Sequence, residues 1–274
     1  MRAVNQPVSW WGWHWQPPVP MSIVELIAAG NLSPRLAAML WVGMERGASV
    51  IVAADPPSAG KTTTLTALLS LTPPETIAYF TRGIGEPFAV PSRSASHPTY
   101  ILINEMSDHI PVYTWDDYAR RAFELLAEGY SLATTMHADT IEEVMRQLRD
   151  DLGVPARQIA NLTFIIPLHI GFAGSQRRRV REVVLLEPDG DGLKTSSIAR
   201  WDSGRDDFEV LSGDGHLSAF AAWAGLSAEA IESEIGRREG WFRELLEKGT
   251  VTIPEVNAAV ERYYETEIRR GRRG

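Results

Sequence analysis

The sequence predicts an α/β fold, with a mostly parallel sheet flanked by helices and a C-terminal helical subdomain. Two observations predict this fold. From residue 49 onward, short apolar runs of strand length alternate with segments of helical periodicity, which is typical of parallel strands joined by helical crossovers. Near residue 60, a β-branched run, a tight turn containing Gly-Lys-Thr and a helix-forming run follow one another, which is the arrangement of a phosphate-binding loop.

Length and composition are typical of a soluble intracellular enzyme. The 274 residues suffice for a sizeable core, and they contain neither an apolar run long enough for a transmembrane segment nor an N-terminal signal sequence. The chain has no cysteine, so disulfides and cysteine-ligated zinc are excluded. Its net charge of −8 argues against direct nucleic-acid binding, because phosphate backbones recruit positive surfaces.

The N-terminal part, residues 1–47, begins with an unusual aromatic cluster and ends in a predicted helical hairpin. The cluster consists of Trp10, Trp11, Trp13 and Trp15, followed by Pro17, Pro18 and Pro20. The prolines exclude a regular helix, and we expect the indoles to pack on the chain itself or on another subunit rather than to stack on a ligand. A helical hairpin is predicted over residues 22–46, with Pro34 at the start of its second helix.

The phosphate loop, residues 55–63, follows the strand predicted at 49–54 and leads into a helix at 64–70. Lys61 would reach the β- and γ-phosphates, and the Thr62 hydroxyl would coordinate a magnesium ion. Asp55 replaces the first glycine of the G-x-x-x-x-G-K-[ST] pattern, which leaves a Pro-rich turn with a surface lysine as the alternative interpretation. The residues predicted to bind the cofactor are Pro57, Ser58, Ala59, Gly60, Lys61, Thr62 and Thr63.

Downstream of the loop, strands are predicted at 76–80 and 100–103, separated by a Gly/Pro/Ser-rich loop at 82–98. The second strand runs into Glu105. An acid at the carboxyl end of a buried strand lies where ligands bind in open α/β sheets. Glu105 would therefore activate the attacking water or hold the magnesium through a water molecule; the alternative is a surface charge at a strand end.

A third strand end carries a histidine. A helix at 115–128 with Gly129 as its C-cap is followed by a strand at 131–136, which runs into His137. Asp139 and Glu142 form the pattern of a capping box for a helix reaching residue 149. His137 is thus predicted on the same rim as the loop and Glu105, to hydrogen-bond the γ-phosphate, or else to be an ordinary structural histidine.

The remainder of the chain predicts a strand pair at 161–167 and 178–187, a linker at 187–192 and a second strand pair at 193–201 and 208–210. Helices are predicted at 226–248, with Ser227 as N-cap, and at 254–270. The predicted parts are residues 1–47, a core at 48–190 and a C-terminal part at 191–274. Two basic runs, at 177–179 in a predicted turn and at 269–273, are either solvated charge or contacts for an anionic partner.

In this order, the motifs resemble those of the secretion ATPase superfamily, which powers type II secretion, type IV pili and archaeal flagella. Residues 104–108, Asn-Glu-Met-Ser-Asp, are similar to its Walker B segment Gly-Glu-hydrophobic-Arg-Asp. Residues 134–139, Thr-Thr-Met-His-Ala-Asp, are similar to its histidine box. The resemblance covers residues 22–188, and the stretches 235–238, 245–249 and 256–264 resemble archaeal and Tad-type members.

The resemblance implies a RecA-like P-loop NTPase core that binds ATP and Mg²⁺, forms a homo-hexamer and couples ATP hydrolysis to pilus assembly or protein export. It implies that Lys61 and Thr62 are the Walker A lysine and magnesium ligand, that Glu105 is the Walker B glutamate and second metal residue, and that His137 is the histidine of the box. The implied partner is an inner-membrane platform protein, so we expect a cytoplasmic protein that docks on the inner face of the cytoplasmic membrane.

The departures from the superfamily pattern leave two function classes open. Asp55 occupies the position of a glycine in the superfamily pattern, while Ser107 and Gln147 occupy positions where the superfamily has arginines. Glu86 is the candidate for the acidic box. Only 54 residues precede the loop, so the superfamily's N-terminal domain, with its arginines that act across subunits, is expected to be reduced or missing. The chain is either an active motor ATPase or a degenerate, non-hydrolysing subunit of such an assembly, with a small-molecule kinase as a third alternative.

Overall fold

The computed structural model describes residues 1–6, 20–94, 96–173, 175–211 and 216–271. Within these ranges, one ten-stranded sheet carries helices on both faces, which confirms the predicted α/β fold. The strands are β1 Arg2–Ala3, β2 Val50–Ala53, β3 Ile77–Phe80, β4 Thr99–Leu102, β5 Ser131–Met136, β6 Phe164–Ala173, β7 Ser175–Val180, β8 Glu182–Asp189, β9 Gly192–Asp202 and β10 Asp207–Val210. The helices are α1 Ile23–Ala28, α2 Pro34–Glu45, α3 Lys61–Leu69, α4 Asp116–Ala127, α5 Ile141–Arg146, α6 Ala156–Ile159, α7 His216–Trp223, α8 Ala228–Glu247 and α9 Ile253–Gly271.

The sheet has a parallel half and an antiparallel half. Its strand order is β1-β3-β4-β5-β2-β6-β8-β9-β10, with β7 paired to β6. Strands β1 to β6 pair with one another in parallel fashion, whereas β7 and β8 pair antiparallel to β6, and β8, β9 and β10 pair antiparallel to one another in turn. The carboxyl ends of β2, β4 and β5 therefore meet at one edge, with β5 between the other two, and this edge carries the site described below.

The two faces of the sheet explain why β2 is apolar throughout. Val50 and Val52 belong to one hydrophobic cluster, together with residues of α1, α2, α3, α8 and α9. Ile51 and Ala53 belong to a second cluster, with residues of α4 and α5. Because successive side chains of a strand point to opposite faces, a strand covered on both sides must be apolar at every position. No helix among the described residues combines the length and the hydrophobicity that a membrane span requires.

Most predicted elements are present, with shifts of one to three residues at their ends. The hairpin at 22–46 is present as α1 and α2, with Pro34 as the first residue of α2. Ser227 caps α8 by accepting a hydrogen bond from the Ala230 N–H. Helices α6 and α7 and strands β1 and β7 are additions to the prediction. The four tryptophans of the predicted cluster, with Pro17 and Pro18, lie outside the described residues.

Three predicted details are wrong. The predicted capping box of Asp139 and Glu142 is absent, because Thr140 is the N-cap of α5 while the Asp139 carboxylate accepts a hydrogen bond from the Asp55 N–H. Residues 177–179 are part of β7 rather than a turn, since the antiparallel partner β6 extends past its predicted end. Residues 187–192 form the end of the β8–β9 hairpin rather than a linker, with Asp189 of β8 paired to Gly192 of β9 across the turn. The three-part division of the chain stays a prediction, with its second boundary inside one continuous sheet.

The predicted C-terminal helices pack on the N-terminal hairpin. Trp41 of α2 lies against aromatic rings of α8 and α9, with a centroid distance of 4.8 Å to Trp241 and 4.5 Å to Tyr263. Its indole N–H donates a hydrogen bond of 2.9 Å to the Tyr264 hydroxyl. Arg238 of α8 is buried in the same place and pairs with Glu45 of α2. The first and last parts of the chain thus share one core.

Candidate functional site: the phosphate loop and its rim

The phosphate loop turns from β2 into α3 through two left-handed backbone positions. Ser58 has a φ of 61° and Gly60, the N-cap of α3, has a φ of 93°. A Cβ on Gly60 would lie 3.1 Å from Cδ of Arg178, so both the backbone angle and the space favour glycine there. Gly60 has no side chain to cap α3, and the first N–H groups of a helix lack intrahelical partners. The loop therefore offers backbone donors to an anion at the start of a nine-residue helix.

Lys61, the first residue of α3, is buried. Its Nζ donates a hydrogen bond of 2.8 Å to the Ala54 carbonyl oxygen and lies 3.4 Å from Nδ1 of His137. Burial lowers the pKa of Lys61, against the opposing influence of Glu105 and two nearby aspartates. A lysine held in this way has a compact positive charge with little water around it, which strengthens its interaction with an anion.

Glu105 follows β4 and is also buried, at 6% exposure. Its Oε1 lies 3.1 Å from Nε2 of His137 and accepts a hydrogen bond of 3.1 Å from the Ser107 hydroxyl. Burial alone would raise the pKa of Glu105, but His137 and then Lys61 and Ser107 outweigh it, and the pKa lies below its ordinary value. Glu105 is therefore a buried, ionised carboxylate at the strand edge.

His137 connects Glu105 to the phosphate loop. Its Nε2 faces Glu105, and its Nδ1 lies 2.9 Å from the carbonyl oxygen of Asp55. Its own carbonyl oxygen accepts a hydrogen bond of 2.6 Å from the Gln147 amide. The hydrogen bond to Glu105 raises the pKa of His137 despite its partial burial. Both ring nitrogens adjoin oxygen acceptors, an arrangement that suits the doubly protonated ring.

The predicted catalytic residues Lys61, Glu105 and His137 thus lie together at one edge of the sheet. Of the other predicted loop residues, Pro57 and Ser58 are exposed, Ala59 is buried, and Thr62 and Thr63 are partly buried at the start of α3. Among the described contacts, none joins Thr62 to Glu105, and the roles of these residues in binding a nucleotide and magnesium stay predictions.

Sequence reasoning missed Arg178 and Asp139. Arg178 of β7 donates hydrogen bonds of 3.1 and 2.9 Å from Nε and Nη2 to the Ser58 carbonyl oxygen. The Asp139 carboxylate accepts a hydrogen bond of 2.9 Å from the Asp55 N–H. The run of three arginines was a signal for the first. Only the β6–β7 pairing reveals that it is Arg178 that reaches the loop.

The departures from the superfamily pattern have local explanations in the structure. Ser107 donates to Glu105, and Gln147 donates to the main chain of His137, so both support rim residues. Asp55 keeps an ordinary φ, and the left-handed position of the loop falls on Ser58 instead. Glu86 is buried within its own loop, where it accepts hydrogen bonds from the Tyr79 hydroxyl and from two backbone N–H groups.

Two curated proteins of Methanocaldococcus jannaschii, both uncharacterized, are similar to the chain, while no family model matches it. MJ0900 is 27% identical over an alignment of 218 residues that covers 69% of this chain and 38% of MJ0900. MJ1287 is 26% identical over an alignment of 253 residues that covers 81% of this chain and 90% of MJ1287. The chain therefore spans well under half the length of the first relative and most of the second.

Two solved structures resemble part of the chain. The VirB11 ATPase from the Brucella suis type IV secretion system, in complex with sulphate, is 18% identical with a TM-score of 0.39, over 59% of this chain and 54% of that protein. The Legionella pneumophila ATPase DotB is 10% identical with a TM-score of 0.38, over 88% of this chain and 65% of DotB. At these TM-scores the likenesses assign neither an activity nor a family to the chain.

Proposed function

We propose that this chain is a motor ATPase of the secretion ATPase superfamily, which binds ATP with Mg²⁺ and couples its hydrolysis to pilus assembly or protein export. The observation that carries the proposal is the buried, ionised Glu105, which His137 connects to the Lys61-bearing phosphate loop. A carboxylate kept ionised beside a loop of this kind suits the activation of a water molecule.

The loop fits the phosphates of a nucleotide in three respects. The glycine at position 60 leaves room that a Cβ would fill, the start of α3 offers backbone donors, and Lys61 brings a buried positive charge. Backbone N–H groups of residues 60–63 and Lys61 would hold the phosphates, and Thr62 and Glu105 would hold the magnesium. When bound, Mg²⁺ neutralises charge on the β- and γ-phosphates.

Each rim residue has its own task in this mechanism. Lys61 exchanges its hydrogen bond to the Ala54 carbonyl for one to phosphate. Glu105 orients the attacking water and accepts its proton, while His137 and Ser107 keep the carboxylate in place. Arg178 brings a guanidinium to the loop from the same chain, and a cation placed there stabilises negative charge that develops on the transferred group.

A second candidate function is a non-hydrolysing subunit of the same kind of assembly. The observation that favours it is the acidic environment of Lys61, on which Asp55 and Asp139 act in addition to Glu105. Carboxylates beside a phosphate site oppose the binding of an anion. In this alternative the chain keeps the fold and binds partners, but it binds nucleotide weakly.

Magnesium-dependent ATP turnover of the purified chain distinguishes the two functions when it is measured beside Glu105→Gln, with ATP affinity measured for both proteins. We expect Glu105→Gln to lose turnover by a factor of ~10² or more while it still binds ATP. The matched control is Glu75→Gln, the same change at an exposed position, which should retain wild-type turnover. Binding without turnover in the wild type supports the second candidate, and no binding at all overturns the phosphate-loop assignment.

The proposed assembly is a homo-hexamer on the cytoplasmic side of the membrane, docked to an inner-membrane platform protein. Sedimentation velocity with and without ATP tests the first half of this statement. A chain that stays monomeric at all concentrations, with nucleotide bound, contradicts the hexamer but leaves the ATPase activity to be judged by its own assay.

A further inference from the structure

A histidine that the proposed mechanism does not use lies beside the catalytic rim. His109, on the loop that follows β4, places its Nδ1 3.9 Å from Oε1 of Glu105, and its ring centroid is 5.1 Å from that of His137. One donor atom from each of Glu105, His109 and His137 can be chosen so that all three lie within 4.8 Å of one another. Two imidazoles and one carboxylate thus converge on a single point.

The spacing of these atoms suits a small transition-metal ion. Ligand atoms at about 2.0–2.1 Å from a tetrahedral zinc ion lie about 3.3 Å from one another. Oε1 of Glu105 is 3.1 Å from Nε2 of His137, close to this separation. Nδ1 of His109 is 3.9 Å from the same oxygen, and the His109 side chain is 57% exposed, so a small rotation of this side chain brings it into range. With three ligands, one coordination position stays open to water or an anion.

The groups behind the candidate ligands are those that metal sites use to orient their ligands. A metal-bound histidine commonly donates its other ring N–H to a carbonyl oxygen, and Nδ1 of His137 lies 2.9 Å from the Asp55 carbonyl. The Ser107 hydroxyl in turn holds Glu105. The positive charge of Lys61 opposes a metal cation at this place, but the nearby negative charge of Asp55 offsets part of it.

We propose that Glu105, His109 and His137 form a binding site for a divalent ion that prefers nitrogen ligands, of the Zn²⁺ class. Mg²⁺ is a poor occupant of this donor set because it prefers oxygen ligands, so the site differs from the magnesium position of the proposed ATPase by its two histidines, although both positions use Glu105. A second consequence rests on the proposed function. Because an ion bound to Glu105 occupies the carboxylate that activates water, Zn²⁺ inhibits ATP turnover.

Metal binding to the nucleotide-free, full-length chain tests the site without reference to ATP. Co²⁺ is added first, because its visible absorption reports coordination by nitrogen and oxygen ligands, and Zn²⁺ affinity is then measured by competition with a chromophoric chelator. We expect His109→Ala to weaken Zn²⁺ binding by ~10-fold or more. The matched control is His97→Ala, which lies before β4 at the opposite edge of the sheet and should bind like the wild type.

Two outcomes overturn the site: a wild-type chain that gives no Co²⁺ absorption, or a His109→Ala variant that binds Zn²⁺ as tightly as the wild type. Because His109 is exposed, its removal should leave the fold intact, which circular dichroism checks. The inhibitory role is tested separately, by adding Zn²⁺ to the Mg²⁺-ATP assay. Equal inhibition of wild type and His109→Ala overturns that role, whereas an inactive chain that still binds Zn²⁺ contradicts only the proposed ATPase function.

Discussion

Replacing Arg238 by methionine should destabilise the protein far more than the same change at its neighbour Arg237. Arg238 is 1% exposed and pairs with Glu45 of α2 and Glu234 of α8. Its guanidinium also lies 5.3 Å from the ring centroid of Trp41. The residue therefore holds α8 to the N-terminal hairpin through charge and through a ring face, both shielded from water.

The magnitude follows from what the substitution leaves behind. Removing one partner of a buried ion pair costs about 3–5 kcal/mol, because the other charge is left unpaired. In the variant, Glu45 would still pair with Arg46 at 3.2 Å and Glu234 with Arg237 at 2.6 Å. Both carboxylates are also about one-quarter exposed, so the cost of losing Arg238 lies at the low end of this range. The lost ring contact adds about 1 kcal/mol. We expect a loss of about 3–4 kcal/mol in the free energy of unfolding.

Urea denaturation at pH 7 measures the effect, with Arg237→Met as the matched control. Arg237 is 38% exposed and pairs with Glu234 and Glu267 on the surface, so its replacement should cost no more than about 1 kcal/mol. Equal losses for the two variants, or a larger loss for Arg237→Met, would refute the argument that the buried guanidinium holds α8 in place.

Three further predictions concern the phosphate loop and β7. Arg178→Ala should weaken ATP binding about 5-fold, because a cation at the loop is lost, whereas Arg177→Ala should not; ATP titrations of both variants decide this. Gly60→Ala should lower the free energy of unfolding by about 1–2 kcal/mol, since the φ of 93° at this position strains any residue with a Cβ. Urea denaturation measures this loss, and an unchanged free energy of unfolding would contradict the argument from strain. The hydrogen bond from Arg179 lowers the pKa of Asp206 from 3.8 to about 2. The pair therefore stabilises the folded state fully at pH values above 3.8, and this stabilisation is lost as the pH falls towards 2. Because the Asp206 carboxylate is 40% exposed, the contribution is about 1 kcal/mol at pH 6, and the advantage of wild type over Asp206→Asn should fall by about half at pH 3; an advantage independent of pH would contradict the pairing.

The sequence predicted the parallel half of the fold well, because its signals are local. The all-apolar run of β2 and the glycine-lysine turn after it identify a buried strand and the loop that follows it. Once parallel strands are expected, the meeting of Glu105 and His137 with Lys61 follows, since the carboxyl ends of such strands share an edge.

The antiparallel half was less predictable because its pairing depends on distant residues. The three arginines of β7 look like a turn in the sequence, and only their pairing with the extended β6 places Arg178 on the loop and Arg179 on Asp206. Asp139 misled the capping prediction for the same reason. Its carboxylate is equally suited to a local helix cap and to a backbone N–H that lies 84 positions away in the sequence.

Three basic side chains face carbonyl oxygens of residues 54–58: Lys61 at Ala54, His137 at Asp55 and Arg178 at Ser58. In the proposed function, a phosphate therefore competes with the protein's own carbonyl oxygens for side chains that already contact them, and its binding is an exchange of partners rather than an addition. The net gain per contact is the difference between a phosphate and a carbonyl acceptor. If the proposed function holds, selectivity follows from this difference, because an anion of low charge density gains little over the carbonyls, whereas a triphosphate offers several charged oxygens.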